Sequence, residues 1–220
     1  MFREICLVCP NDKHYRKWLK DNNFISDPKR IPCPFAHEYH LQLYKLENII
    51  RSIIKLHLEE CPNRILQWNN RNKYGRYRIH YRELDYVYAP DQTPRLFIEI
   101  KHRETTTTGK DGIAQIKKSL FIAQHAWQNV SGVCINVMMA DILGIETDII
   151  PDFIPLTEIP TVLASESQPH DEIHVLWLDS KEVATFAIEH GLLTKEEVDD
   201  LPRLHKLARN PTKYLNTEFE

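Results

Sequence analysis

Several features are missing from this chain of 220 residues, and each absence narrows what it can be. No apolar run approaches the roughly 18–20 residues of a membrane-spanning helix. The opening MFREICLVCP holds too short an apolar stretch for a secretion signal, and Arg3 and Glu4 precede it, so a cytoplasmic location is expected. Cysteine is scarce and odd in number: five are scattered along the chain, which suits a reducing compartment better than a disulfide framework. Cys6 and Cys9, with Cys33 and His37, supply zinc-ligand types, but no second closely spaced pair follows, and structural cysteines are expected instead. An excess of positive charge is also missing. Formal net charge is -3, so the protein is no polycation, and a nucleic-acid partner would have to meet a local basic surface. No internal repeat and no low-complexity linker occurs beyond the four threonines Thr105 to Thr108, so one domain is the default.

What is present is enough apolar material, 42%, for a real core. Residues 2–9 read as a short buried strand, and Lys13 to Lys20 as a short helix presenting Tyr15, Trp18 and Leu19. Asn22 to Pro34 is a turn-rich connection. The longest helical pattern runs from Phe35 to Glu60, with Tyr39, Leu43, Leu46, Ile50, Ile53 and His57 at three- and four-residue steps. Glu47 lies at the edge of that stripe, where an inward carboxylate would point towards the sheet that follows. Glu38 lies on the opposite edge and is the reserve for the same role.

Arg64 to Arg82 contains no acid and interleaves Trp68, Tyr74 and Tyr77 with Arg71, Lys73, Arg76 and Arg78. Such a segment is either a charged hairpin edge that resists strand addition or a surface that neutralises phosphates and stacks on bases. Arg103, Lys110, Lys117 and Lys118 make a second basic rim beyond the next strand.

Two runs, His80 to Tyr88 and Leu96 to Lys101, flank the turn from Ala89 to Pro94. In the first, alternation places Tyr81, Glu83, Asp85 and Val87 on one face; in the second, Phe97, Glu99 and Lys101 share a face opposite Leu96, Ile98 and Ile100. A hairpin closed by that turn brings Asp85, Glu99 and Lys101 together. Two carboxylates suit Mg²⁺ or Mn²⁺ with positions left for water and a phosphate, and the ammonium can orient the attacking water or offset developing charge. Glu83 is a neighbouring carboxylate on that face or a partner for Arg78 or Arg82, and His102 alternates to the other face at the core edge.

After Lys101 come a loop, a helix begun near Asp111 with Ile113, Ile116, Leu120, Ala123 and Trp127 as its stripe, and the apolar run Val130 to Met139, a strand buried on both faces. Asp141 to His170 is irregular, broken by four prolines. Glu172 to Leu178 is a strand. Asp179 with Glu182, and Thr194 with Glu197, have capping-box spacing for two short helices, the second ending before Pro202. The tail beyond Leu207 is expected to be loosely held.

Leu84-Asp85, thirteen intervening residues, then Glu99-Ile100-Lys101 resembles the PD-(D/E)XK motif of the restriction-endonuclease-like nucleases, with Leu84 where the motif name has proline. The chain order over roughly Phe35 to Met139 also resembles their core. The resemblance implies an α/β fold, a mixed central sheet flanked by helices, and metal-dependent hydrolysis of phosphodiester bonds. It implies that Asp85, Glu99 and the carbonyl of Ile100 hold Mg²⁺ or Mn²⁺, that Lys101 is the catalytic lysine, that Glu47 is the helix glutamate and that Gln115 is the glutamine of the following helix. DNA is the expected substrate, with RNA as an alternative; members often form homodimers. The expected division is an extension over 1–34, a nuclease core over 35–140 and a C-terminal extension over 141–220. A nuclease-like fold kept only for binding nucleic acid or for assembly is the competing expectation.

Overall fold

The computed structural model describes residues 2–22, 34–71, 73–106, 110–166 and 173–210, leaving aside the side chains of residues 34, 110 and 166. In chain order the elements are β1 (Arg3–Val8), α1 (Lys13–Asp21), α2 (Pro34–Lys55), β2 (Ile65–Arg71), β3 (Tyr77–Glu83), β4 (Tyr86–Tyr88), β5 (Leu96–Arg103), α3 (Lys110–Ala123), β6 (Ser131–Met138), α4 (Ala140–Leu143), α5 (Ile159–Glu166), β7 (Ile173–Asp179), α6 (Ser180–Glu189), α7 (Lys195–Asp199) and α8 (Leu201–Arg209). They make a mixed α/β fold with two sheets. One is antiparallel, in the order β1-β2-β3; the other runs β4-β5-β6-β7, with β4 antiparallel to β5 and the remaining neighbours parallel.

Apolar alternation decides what covers each face. Ile98 and Ile100 of β5, with Val133, Ile135 and Val137 of β6, join the largest core, which α2, α5, α6 and α8 cover. Phe97 on the opposite face of β5 packs with Ile116 and Leu120 of α3 and with Leu66 and Trp68 of β2. That second core ties the two sheets together. A third, small cluster seats Tyr15 of α1 on Ile65 and Tyr81. The C-terminal third therefore shares one core with α2 and β5. Strand β6 is buried at every residue, as a central parallel strand with covered faces should be. No described helix is long and apolar enough to cross a membrane.

Three local expectations are corrected. The run His80–Tyr88 is not one strand: β3 ends at Glu83 and β4 begins at Tyr86 in the other sheet, because Leu84 is fully buried and turns the chain between them. Helix α2 stops at Lys55 rather than Glu60, and Glu60 instead bridges to Tyr88 and pairs with Arg51. Asp179 caps α6 through the amide of Lys181, but Glu182 accepts from the amide of Leu156, so no capping box closes there. Thr194 and Glu197 do close one on α7. That helix ends at Asp199, before Pro202 as expected, and Pro202 belongs to a further helix, α8. It sits in the first turn of α8, where its missing N–H costs no hydrogen bond. Among the cysteines, Cys6 and Cys9 carry free thiols; Cys33 lies outside the described residues, and His37 is exposed.

Helix α3 approaches β6 over Gly132. A Cβ there would stand 2.4 Å from Ile116 Cγ2 and 2.8 Å from Leu120 Cδ1. Gly132→Ala must therefore push α3 off the sheet. Chemical denaturation should show a loss of about 1–3 kcal/mol, the usual result of overpacking; an unchanged midpoint would contradict this packing.

Candidate active site

The site lies in a notch at the edge of the second sheet. Strand β4 pairs with β5 over three rungs only: Tyr88↔Leu96, Val87↔Phe97 and Tyr86↔Ile98. Beyond Ile98, β5 continues to Arg103, but the chain at Asp85 and Leu84 has already left for the other sheet. The N–H of Ile100 thus faces the side where its strand partner has ended. Asp85 fills that role, accepting from Ile100 N at 2.7 Å. A residue in an extended strand points its N–H and C=O to the same side, so the Ile100 carbonyl shares the notch.

Arg64 holds the turn that delivers Asp85. It donates to the Leu84 carbonyl at 2.9 Å and pairs with Glu83 at 2.6 Å, while its own carbonyl accepts from Leu84 N at 3.1 Å. Glu83 also accepts from the Tyr15 hydroxyl, 3.2 Å away, so it serves the turn on the far side of the sheet.

Glu99 and Lys101 share a face by strand alternation. Lys101 Nζ lies 2.5 Å from Glu99 Oε1 and 3.7 Å from Asp85 Oδ2. The three residues that sequence spacing singled out are brought together by the β4–β5 hairpin that the turn from Ala89 to Pro94 closes, with Asp85 just beyond its last rung, where the chain bends towards the other sheet. Helix α3 closes over the lysine at Gly112, where a Cβ would stand 2.8 Å from Cys134 Sγ and 3.0 Å from Lys101 Cγ.

Charge in the notch is crowded and poorly hydrated. Glu99 is only 6% exposed; burial, then repulsion from Asp85, pushes its carboxyl up to about 7 against the pull of Lys101. Burial also raises Asp85, opposed by Lys101, the Ile100 N–H and Arg64. Lys101 is raised, because its two carboxylates outweigh its own burial. Glu47 reaches the same field from α2: burial, then Asp85, lifts it to about 7, with Arg51, Lys101 and Arg64 opposing. Glu38 is exposed, one face away, and takes no part.

Gln115 lies on the exposed side of α3. Its backbone carbonyl accepts from Arg82 at 2.7 Å, and among the described residues no hydrogen bond joins its side chain to Asp85, Glu99 or Lys101. Arg103 is corrected from rim to interior: it is 5% exposed and ties β5 to α3 and β6 through Asp111 at 2.6 Å and Asn136 at 3.0 Å. Asp111 is accordingly no cap; α3 begins at Lys110, and the carboxylate serves Arg103. Burial pushes His102 down to about 4, leaving a neutral ring whose Nε2 is buried without a hydrogen bond.

Arg71, Lys73, Arg76 and Arg78 are exposed on the β2–β3 hairpin, as are Lys117 and Lys118 on α3; the Lys110 side chain lies outside the described residues. Arg71 holds the Gly75 carbonyl at 2.9 Å, and Lys73 lies over the Tyr74 ring. Arg64 and Arg82 were legible only as members of a basic run, yet each acts on a carboxylate of the notch.

Among the described residues no three His, Cys, Asp or Glu side chains converge as a metal cage. The donors that do converge are Asp85, Glu99 and the Ile100 carbonyl. Mg²⁺ commonly takes one or two carboxylates, keeping water and phosphate oxygens for the rest, so this donor set fits it or Mn²⁺. The Lys101 ammonium lies between the two carboxylates. No family model, curated protein or solved structure matches the chain.

Glu47 and Glu99 have an ordinary value of 4.5 and sit near 7 in the folded protein, so between those values the folded state binds more protons than the unfolded one. Their contribution to stability without divalent metal falls as pH rises from about 4.5 to about 7, against an opposite contribution from His102, so in EDTA melts Glu47→Gln and Glu99→Gln should each gain stability relative to wild type as pH rises through that window. Glu99→Gln removes one buried charge and should raise the pH 8 melting temperature by about 3 °C or more. A lower one would contradict the assignment.

Proposed function

We propose that this chain is a metal-dependent nuclease of the PD-(D/E)XK, restriction-endonuclease-like kind, hydrolysing phosphodiester bonds in DNA. One observation carries the reading: a lysine bridges a buried and a half-buried carboxylate at a sheet edge, on a strand whose peptide N–H is bonded to one of them. A buried charge cluster of this cost persists where chemistry needs it. The helix–strand order and the mixed parallel sheet agree with the restriction-endonuclease-like core.

Asp85, Glu99 and the Ile100 carbonyl would hold Mg²⁺ or Mn²⁺, which when bound polarises a phosphoryl oxygen and makes water a better nucleophile. The protein's own part follows from the geometry. Lys101 places its ammonium where it can hold an attacking water by hydrogen bond and offset charge developing on the phosphoryl oxygens. Glu47, balanced near 7, can accept a proton released at the site. The close packing of α3 at Gly112 limits the freedom of the lysine stem near Cγ. Exposed Arg71, Lys73, Arg76 and Arg78, with Lys117 and Lys118, would meet the phosphate backbone. Gln115 would help only from the rim.

The retained lysine and both carboxylates favour an active enzyme over a binding-only subunit. RNA is the weaker alternative substrate, because the same groups would serve it.

The test is cleavage of supercoiled plasmid and of RNA with Mg²⁺. Wild-type protein should nick or linearise the plasmid, and Asp85→Ala and Lys101→Ala should each slow cleavage about 100-fold or more. Equal cleavage by all three, or no cleavage of DNA or RNA by any, sinks the proposal.

A further inference from the structure

Arg82 is the cation that the proposed chemistry leaves unused. It stands on β3, three residues before Asp85, half-buried, with Nη1 bonded to the Gln115 carbonyl at 2.7 Å and 3.5 Å from Ser119 Oγ. Its positive charge lowers the pKa of Glu99, yet among the described residues no carboxylate lies within ion-pair distance of it. A guanidinium that is partly desolvated and bonded only to neutral groups keeps unspent donors and a full charge.

Arg82 is not isolated. The β2–β3 register pairs Leu66 with Arg82, Trp68 with His80 and Asn70 with Arg78, so these three β3 residues share the face that α3 covers at its inner end. His80 stacks on Trp68, with ring centroids 5.4 Å apart, and Arg78 and Lys118 both stand close enough to depress its pKa. The two guanidinium groups of this face, Arg82 and Arg78, are therefore four strand residues apart, about 13 Å, with His80 between them. The acid of the same strand, Glu83, lies on the opposite face, held by Arg64. Neither Arg78 nor Lys118 has a carboxylate partner among the described residues.

We propose that the seam between β3 and α3 is a phosphate track leading into the notch: Arg82 anchors the phosphate next to the one being cut, and Arg78 with Lys118 holds one further along the same strand. The track rests on the nuclease reading for the scissile phosphate, but its own content is a binding site for one strand of nucleic-acid backbone. Arg82 is a positioning residue, since it acts on the neighbouring phosphate and on the charge of Glu99, not on the reacting atoms.

The probe is a short fluorescein-labelled DNA duplex, titrated by anisotropy in EDTA over a range of KCl, so that binding is read without cleavage. Arg82→Ala should weaken binding about tenfold or more. It should also reduce the slope of log affinity against log salt by about one, as loss of one phosphate contact does. Exposed Lys118→Ala should reduce the slope likewise, while Lys195→Ala, on α7, should leave it as in wild type. Lys118→Ala does not disturb the interior, so it decides the matter if Arg82→Ala fails to fold by circular dichroism. Wild-type affinity and slope in both Arg82→Ala and Lys118→Ala overturn the track. Plasmid cleavage by the same proteins separates the two claims. Metal-dependent cleavage lost in Asp85→Ala, with binding unchanged in Arg82→Ala, overturns the track alone. Altered salt slopes with no metal-dependent cleavage overturn the nuclease reading alone.

Discussion

The hydrogen bond from the Ile100 amide to the Asp85 carboxylate is the contact on which the site depends. It exists because β4 is three residues long. Had β3 run on without a break, a backbone carbonyl would have met Ile100, and no carboxylate would face β5. The buried side chain of Leu84 and the guanidinium of Arg64 enforce the break. Strand alternation on β5 then places Glu99 and Lys101 beside Asp85, and close packing of α3 at Gly112 narrows the space around the lysine. The notch is thus a place where a sheet edge is left open and lined with charge, which protects it from strand addition while exposing donors to a ligand.

That arrangement opposes stability. Two glutamates, Glu47 and Glu99, sit near 7 because burial and the neighbouring Asp85 disfavour their charged forms. Fold stability is drawn instead from the apolar faces of β5 and β6, where Ile98, Ile100, Ile135 and Val137 are covered by α2 and by helices of the C-terminal third. The segment after residue 140 is consequently part of the scaffold of the notch: α5, α6 and α8 share the core that supports the α2 helix bearing Glu47. A cation between Asp85 and Glu99 would relieve the same repulsion that their burial creates, which links the energetic cost of the site to its proposed chemistry.

Much of this was legible in the sequence, and the limits have physical causes. Alternation in Leu96–Lys101 placed Glu99 and Lys101 on one face because a buried strand obeys a strict period of two. The apolar stripe of α2 put Glu47, not the exposed Glu38, towards the sheet. The break at Leu84–Asp85 was hidden, since local pattern continues across it and only the packing of two sheets reveals that one residue must turn inward. Arg103 and Arg82 could not be told apart by composition: one is neutralised by Asp111 inside the core, and the other retains its charge at the notch. Helix α8, with Pro202 in its first turn, was not read from the sequence, because its apolar face is recognised only once it packs against α2.

The central claim is that Asp85, Glu99 and the Ile100 carbonyl form one cation site. Anomalous diffraction from crystals soaked in Mn²⁺ tests it most directly. A single strong peak is expected in the notch, at about 2.0–2.2 Å from oxygens of both carboxylates and the Ile100 carbonyl, allowing for an ion close to Mg²⁺ in size. A notch without a peak at saturating Mn²⁺, or a peak bound elsewhere with Lys101 still bridging the carboxylates, would contradict it.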